Sequence, residues 1–236
     1  MAQAYRFFPD AGSQPLEKIQ LQGLRWTVRH AYHGSPFYRK RLQQAGVGPD
    51  SIETLDDIRS LPCTTADDLR AGYPFPLLSV PEEQVVRIHA SSGTTGKRKI
   101  LAYTARDLEE WKLMMARCYE LAGLTTLDRV QIAVGYGLWT AGVGFQLGCE
   151  HFGAMALPLG PGNLEFQLQF LEDLQPTCAC CTASMALLLA EQVEKNGLRD
   201  RLSLHTLIFG SEPHTPKMAK RIRTLLGVRE TFDITG

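Results

Sequence analysis

The chain has no excess of charge of either sign: Lys and Arg number 25, and Asp and Glu number 25. A balanced chain has no overall field with which to hold nucleic acid or an anionic membrane surface, and neither is expected as a partner. No apolar run is long enough to span a bilayer. The first residues, Met-Ala-Gln-Ala-Tyr-Arg-Phe-Phe-Pro, lack the apolar core of a signal peptide. A cytoplasmic location follows as the expectation. Repeats and low-complexity linkers are also missing. So is any Ser-His-Asp or Cys-His arrangement, because His30, His33, His151 and His205 have no motif around them. Catalysis by a side-chain nucleophile therefore has no candidate.

The six cysteines, Cys63, Cys118, Cys149, Cys178, Cys180 and Cys181, are scattered and do not form a disulfide framework. Cys178-Ala179-Cys180-Cys181 admits a metal or redox reading. The competing reading is a short buried strand between two helices. Adjacent side chains on a strand point to opposite faces, so Cys180 and Cys181 could not readily hold one ion. Reduced core cysteines are expected, with no metal ligand among them.

A chain of 236 residues with 44% apolar and 21% charged residues can bury a sizeable core. Leu16, Ile19, Leu24 and Val28 recur at helical spacing, and Ser35-Pro36 then reads as an N-cap with proline at the first helical position. That second helix should stop at Gly46. Arg39-Lys40-Arg41 reads as a solvated helix face, and Thr65 to Asp68 as a capped helix start. Thr104 with Asp107 opens a helix over about 105–122, whose Leu108, Trp111, Met115 and Tyr119 are read as its core stripe.

From Val130 onward, apolar runs at 130–134, 154–157, 178–181, 206–209 and 231–234 alternate with helical stretches at about 142–152, 164–174, 184–195 and 216–226. Asn163, Ser184 and Thr215-Pro216 are the expected caps. Such alternation predicts an α/β fold, a layered αβα domain on a mainly parallel sheet. The expected organisation is a helical segment over 1–84 followed by an α/β region over 85–236.

Between two β-like stretches, Val85–Ile88 and Lys99–Tyr103, lies Ser91-Ser92-Gly93-Thr94-Thr95-Gly96-Lys97. Glycines let a backbone come close to a ligand, hydroxyls donate hydrogen bonds, and lysine adds charge, which together suit a polyphosphate. It is not a nucleotide-binding P-loop: Ser91 stands at the first glycine position, Arg98 follows the lysine, and a strand comes next where that motif opens a helix. An ordinary hairpin turn remains the alternative, although this stretch is longer than such turns.

In an open parallel sheet, ligands bind beyond the carboxyl ends of the strands. That singles out the loops Gly135–Gly142, Gly210–His214 and Thr235-Gly236. Tyr136, Gly137, Leu138, Trp139, Thr140, Ala141 and Gly142 suit the wall of a pocket for a flat apolar acid, with core packing of Tyr136 and Trp139 as the alternative. Glu212 either contacts the ligand or caps the helix at Pro216.

The wording His89-Ala-Ser-Ser-Gly-Thr-Thr-Gly-Lys97 resembles the phosphate-binding loop of the adenylate-forming acyl-CoA ligases, and in particular their phenylacetate–CoA ligase branch. Pro36–Arg41, Leu61-Pro62, Thr64-Thr65, Asp68–Arg70, Tyr73–Phe75, Tyr136–Leu138, Gly210–Pro213 and Asp233–Gly236 fall in that family's order. The resemblance implies ATP, Mg2+ and coenzyme A as cofactors and a carboxylic acid, aromatic by analogy, as substrate. The acid and ATP would give an acyl-adenylate and pyrophosphate, and coenzyme A would then capture the acyl group. By resemblance Lys97 is the catalytic residue. Ser91 to Lys97, Gly210, Ser211, Glu212, Pro213, Asp233, Thr235 and Gly236 would bind nucleotide, and residues 136–142 would bind the acid. Trp139 and Ala141 are larger than the family's usual Phe and Gly, and Thr235 replaces an aromatic residue beside adenine. The family's magnesium glutamate, ribose aspartate and mobile lysine would lie beyond Gly236. The expectation is therefore an N-terminal portion, inactive by itself, in which a homodimer is allowed. A nucleotide-binding or regulatory module without catalysis is the alternative.

Overall fold

A computed structural model of the protein describes residues 6–7, 14–91 and 98–234. They fall into two compact units, Pro9–Leu108 and Met1–Phe8 together with Glu109–Gly236.

In the first unit, α1 (Leu16–Gly34) meets α2 (Pro36–Gln44) at Ser35. Ser35 is buried, and its hydroxyl accepts from Tyr38 N–H while Pro36 takes the first helical position. Helix α1 runs six residues past Val28, the last of the spaced apolar positions. Val28, Leu42, Val47 and Ile52 form the core of this unit. The basic cluster is a solvated face, with Arg39 and Lys40 exposed and Arg41 partly so, yet two of its guanidinium groups are also engaged. Arg39 donates to the carbonyls of Tyr32 and His33, and Arg41 pairs with Asp68 at 2.8 Å and donates to the Cys63 carbonyl. The last turn of a helix leaves carbonyls without partners, and a guanidinium fork fits two of them at once. The Thr65–Asp68 capping box opens α3 (Ala66–Ala71).

Next, β1 (Val85–Ala90) pairs antiparallel with β2 (Ile100–Thr104), and the ladder extends to Ser91 N–H donating to Lys99 O at 3.0 Å. A strand, not a helix, thus follows the hydroxyl-rich loop. Ser92, Gly93, Thr94, Thr95, Gly96 and Lys97 lie outside the described residues. The expected box opens α4 (Ala105–Leu121): Thr104 N–H donates to Asp107 at 2.7 Å, and Asp107 N–H donates to the Thr104 hydroxyl.

The second unit is the α/β layer. It runs β3 (Arg129–Ala133), α5 (Thr140–Phe152), β4 (Met155–Leu157), α6 (Leu164–Asp173), β5 (Cys178–Cys181), α7 (Ala183–Lys195), β6 (Thr206–Gly210), α8 (Pro216–Leu226) and β7 (Glu230–Ile234). The five strands are all parallel, in the order β4-β3-β5-β6-β7. The chain therefore winds one way from β3 and the other way from β5. Alternation separates the two faces. Val130, Ile132, Val134, Cys178, Cys180 and Ile208 pack with Tyr119, Phe145 and Cys149 of α4 and α5. Ala133, Ala179, Cys181, Leu207 and Phe209 pack with Leu171, Leu189 and Ile222 of α6, α7 and α8. No helix among the described residues is long and apolar enough to cross a membrane.

Cys180 and Cys181 indeed face opposite sides of the sheet, and all six thiols are free. Among the described residues no group of three or more His, Cys, Asp or Glu could hold a metal ion. Burial pushes the Cys149 thiol up to about 12 and the Cys181 thiol higher still, which leaves both without nucleophilic thiolate at neutral pH. A disulfide reagent such as DTNB should therefore label exposed Cys63 at once in the native protein, and Cys149, Cys178, Cys180 and Cys181 only on unfolding. Fast native labelling of any of those four would contradict this packing.

The amino ends of the strands are tied by Asp128. Its carboxylate accepts from Thr177 Oγ1 at 2.6 Å and from Thr125 N–H at 2.6 Å, with the Thr125 hydroxyl at 3.0 Å and His205 Nε2 at 3.5 Å. Burial raises the Asp128 pKa, but these donors and the nearby His205 together outweigh it and hold the group below its ordinary value. A depressed folded pKa stabilises above the unfolded pKa, and that contribution is lost as pH falls through the folded value. Asp128→Asn should cost about 2–3 kcal/mol at pH 7, because donors that satisfied a carboxylate lose it. The difference from the parent should shrink in denaturant melts taken progressively below pH 4.

Candidate functional site

The carboxyl ends of β3, β6 and β7 open onto a cavity of about 1010 Å³. One wall comes from the loop after β3. Trp139 folds over Gly135, where a Cβ would sit 2.6 Å from the indole, and Gly142 gives the Tyr136 ring the same room at 2.7 Å. A hydrogen bond of 2.9 Å from Gly142 N–H to Gly135 O closes the loop. Helix α5 then starts at Thr140 with no side-chain cap, so with Gly142 N–H taken by Gly135 the N–H groups of Thr140 and Ala141 are the ones left toward the mouth of the cleft.

The facing wall is the loop after β6. Ser211 takes φ of 70°, left-handed backbone that costs a non-glycine residue about 1 kcal/mol or more. Its neighbour anchors it. The Glu212 carboxylate accepts from Ser184 N–H and from the Ser184 hydroxyl, both at 2.9 Å, and these bonds hold its pKa below the ordinary carboxylate value. Glu212 thus serves the start of α7 rather than of α8. The expected cap at Ser184 moves for the same reason: Thr182 is the N-cap, its hydroxyl accepting from Met185 N–H, while Ser184 lies in the first turn with an N–H that needs an outside acceptor. Helix α8 is capped by Thr215, and α6 by Asn163, as expected. His214 packs edge-on against Phe209 and places Nδ1 3.5 Å from an Asp233 carboxylate oxygen, joining the loop to β7.

Of the residues expected at the site, Trp139, Thr140, Ala141, Gly210, Ser211, Glu212, Pro213 and Asp233 line this single cavity. Tyr136 does not line it. Its ring packs on the cluster beneath α5, and its buried hydroxyl has no hydrogen-bond partner among the described residues, with burial pushing the phenol up to about 12. Gly137 and Leu138 are exposed, Gly142 is buried in α5, Ser91 belongs to the other unit, and Thr235 and Gly236 lie outside the described residues.

A profile of AMP-binding enzymes matches residues 17–234. The chain belongs to this family. It is 43% identical over 228 residues to phenylacetate-coenzyme A ligase of Escherichia coli strain K12, a match that covers 96% of this chain and 52% of the relative. Over 227 residues it is 40% identical to the enzyme of the same name from Pseudomonas putida, with the same coverage. The chain spans about half the length of the curated relatives it matches. Among solved structures, an open conformation of 2-hydroxyisobutyryl-CoA ligase in complex with 2-HIB-AMP and CoA superposes with a TM-score of 0.87 at 25% identity, over 99% of this chain and 55% of that one.

For an AMP-binding enzyme, the wall that sequence reasoning missed lies on α4. Trp111 and Met115, read from spacing as core, line the cavity with Phe145. The pair Gly144 and Gly148, one turn apart on α5, could have revealed them, since glycines at that spacing let a facing helix come close. His214 and Ile234, which lie inside stretches already singled out, also line the cavity, as does Thr231, which had no motif to mark it.

Proposed function

We propose that this chain carries the acid- and nucleotide-binding half of an ATP-dependent aryl- or arylacetate–CoA ligase. What carries the reading is one juxtaposition: the loop assigned to the acid, Trp139 to Ala141, and the segment assigned to the nucleotide, Gly210 to Pro213 with Asp233, border one cleft. An acyl-adenylate, which joins both groups covalently, would need that arrangement. The curated relatives at 39–43% identity support the choice of an aromatic acid.

Adenylation is displacement of pyrophosphate from the α-phosphorus by the substrate carboxylate, so positioning and charge neutralisation do most of the catalysis. The N–H groups of Thr140 and Ala141 at the uncapped start of α5, and those of Ser211 and Glu212, are the ones assigned to the reacting anions. The loop hydroxyls and Lys97 are assigned to the β- and γ-phosphates. Magnesium, when bound, would neutralise phosphate charge. Phosphate oxygens and water would supply most of its ligands.

Calorimetry on this chain with ATP, AMP, phenylacetate and a non-hydrolysable phenylacetyl-adenylate analogue tests the reading. The analogue should bind at least about a hundredfold tighter than the acid, because it fills both subsites without a second loss of translational freedom. An analogue that binds no better than AMP would refute a shared cleft and favour a simple nucleotide-binding module.

A further inference from the structure

We propose that Trp111 sets how long an acid tail the cleft accepts, an inference that rests on the acid-binding reading above. Helix α4 turns Trp111 and Met115 toward α5, and α5 answers with Gly144 and Gly148 in place of side chains. A Cβ on Gly144 would lie 2.7 Å from Trp111 Cζ2 and 3.2 Å from Cε2, so the indole occupies the space that any other residue at 144 would need. In that position the ring lines the same cavity as Trp139, Phe145 and the Gly210–Pro213 loop. The titratable groups of the cavity, Glu212, His214 and Asp233, belong to the β6 and β7 side. Trp111, Met115 and Phe145 form an apolar end on α4 and α5. An acid whose carboxylate is held among the N–H groups at the mouth directs its apolar tail to that end, and the first large rigid surface there is the indole. Phe145 is itself buried in the core beneath α5, and Met115 is a flexible chain that adapts to its neighbours. Trp111 is the rigid stop.

A tail pocket of this kind discriminates by the size of what fits, and a methylene or two changes affinity by about tenfold or more. The experiment measures dissociation constants of phenylacetate, 4-phenylbutyrate and 6-phenylhexanoate for the 236-residue chain, Trp111→Ala, Trp111→Phe and Trp139→Ala. Trp111→Ala should move the ratio of long-acid to phenylacetate affinity by about tenfold or more toward the longer acids. Trp111→Phe should move it less, and Trp139→Ala should weaken all three together. Trp111→Phe keeps a ring against Gly144, so it carries the test if the alanine variant fails to fold. Acids that bind with an unchanged length preference in both Trp111 variants overturn the role of Trp111 and leave the acid site standing. Failure of every acid to bind the parent chain overturns the acid site, and this inference with it.

Discussion

Gly148→Ala is expected to destabilise the α/β unit by about 2–4 kcal/mol, a large share of the about 5–15 kcal/mol that holds a typical domain. The added Cβ would lie 2.2 Å from Met115 Cβ and 3.1 Å from the Met115 backbone carbon. Neither atom is the free end of a flexible chain. Relief requires moving α5 away from α4, and both helices are held. Tyr119 is buried between them and donates its hydroxyl to the Phe145 carbonyl at 2.9 Å, and Cys149 packs in the same cluster. The control is Gly23→Ala on α1, where nothing lies within 4 Å of the new carbon. That change should add about 0.5–1 kcal/mol by removing a glycine from a helix interior. Urea melts of both variants against the parent provide the readout. Loss of less than about 0.5 kcal/mol in Gly148→Ala would show that the two helices do not approach as described.

The second large effect concerns Lys97. In a chain carried to the length of its curated relatives, Lys97→Ala should cut ATP-dependent pyrophosphate release by about a hundredfold or more. Removal of one preorganised electrostatic partner typically costs about 3 kcal/mol in the transition state. The 236-residue chain offers a sharper discrimination by binding alone. A lysine assigned to the β- and γ-phosphates contributes to ATP and not to AMP, which has neither group. Lys97→Ala should therefore weaken ATP by about tenfold, or about 1.4 kcal/mol, while AMP changes by less than about threefold, or under about 0.7 kcal/mol. Equal loss on both nucleotides would assign Lys97 to the α-phosphate or to the fold, and no loss on either would remove it from the site.

The layered architecture was legible because its signals are local. Alternation of short apolar runs with helical stretches reports a parallel sheet covered on both faces, and each strand from Arg129 to Ile234 lies where that pattern put it. Caps such as Ser35, Asn163 and Thr215 act within four residues of themselves, so their residue type and spacing suffice. The paired faces of Cys180 and Cys181 follow from the two-residue period of a strand and need nothing else.

What failed to be legible involves partners far apart in the chain. Whether Glu212 meets a ligand or a helix depends on where Ser184 lies in space, and nothing in either segment announces the other. The same holds for Arg39, which meets the orphan carbonyls at the end of α1, and for Arg41, which meets Asp68 and the Cys63 carbonyl. Helical spacing marked Trp111 as apolar and inward-facing, but inward on α4 is toward α5, where Gly144 leaves a gap that opens on the cleft.

By itself the sequence determined the α/β class, the positions of the strands and most helix caps, and the strand-flanked stretch rich in hydroxyls. These depend on backbone periodicity and on contacts between near neighbours, whereas the family was legible only through the resemblance of its motifs. Only the tertiary structure decided that the loop after β3 and the loop after β6 border one cavity. It alone withdrew Tyr136 into the packing beneath α5, gave Glu212 to α7, and set Trp111 at the cavity's apolar end. Those outcomes are fixed by the winding of β3, β5, β6 and β7 side by side and by the close approach of α4 to α5, which bring together side chains that share no local pattern.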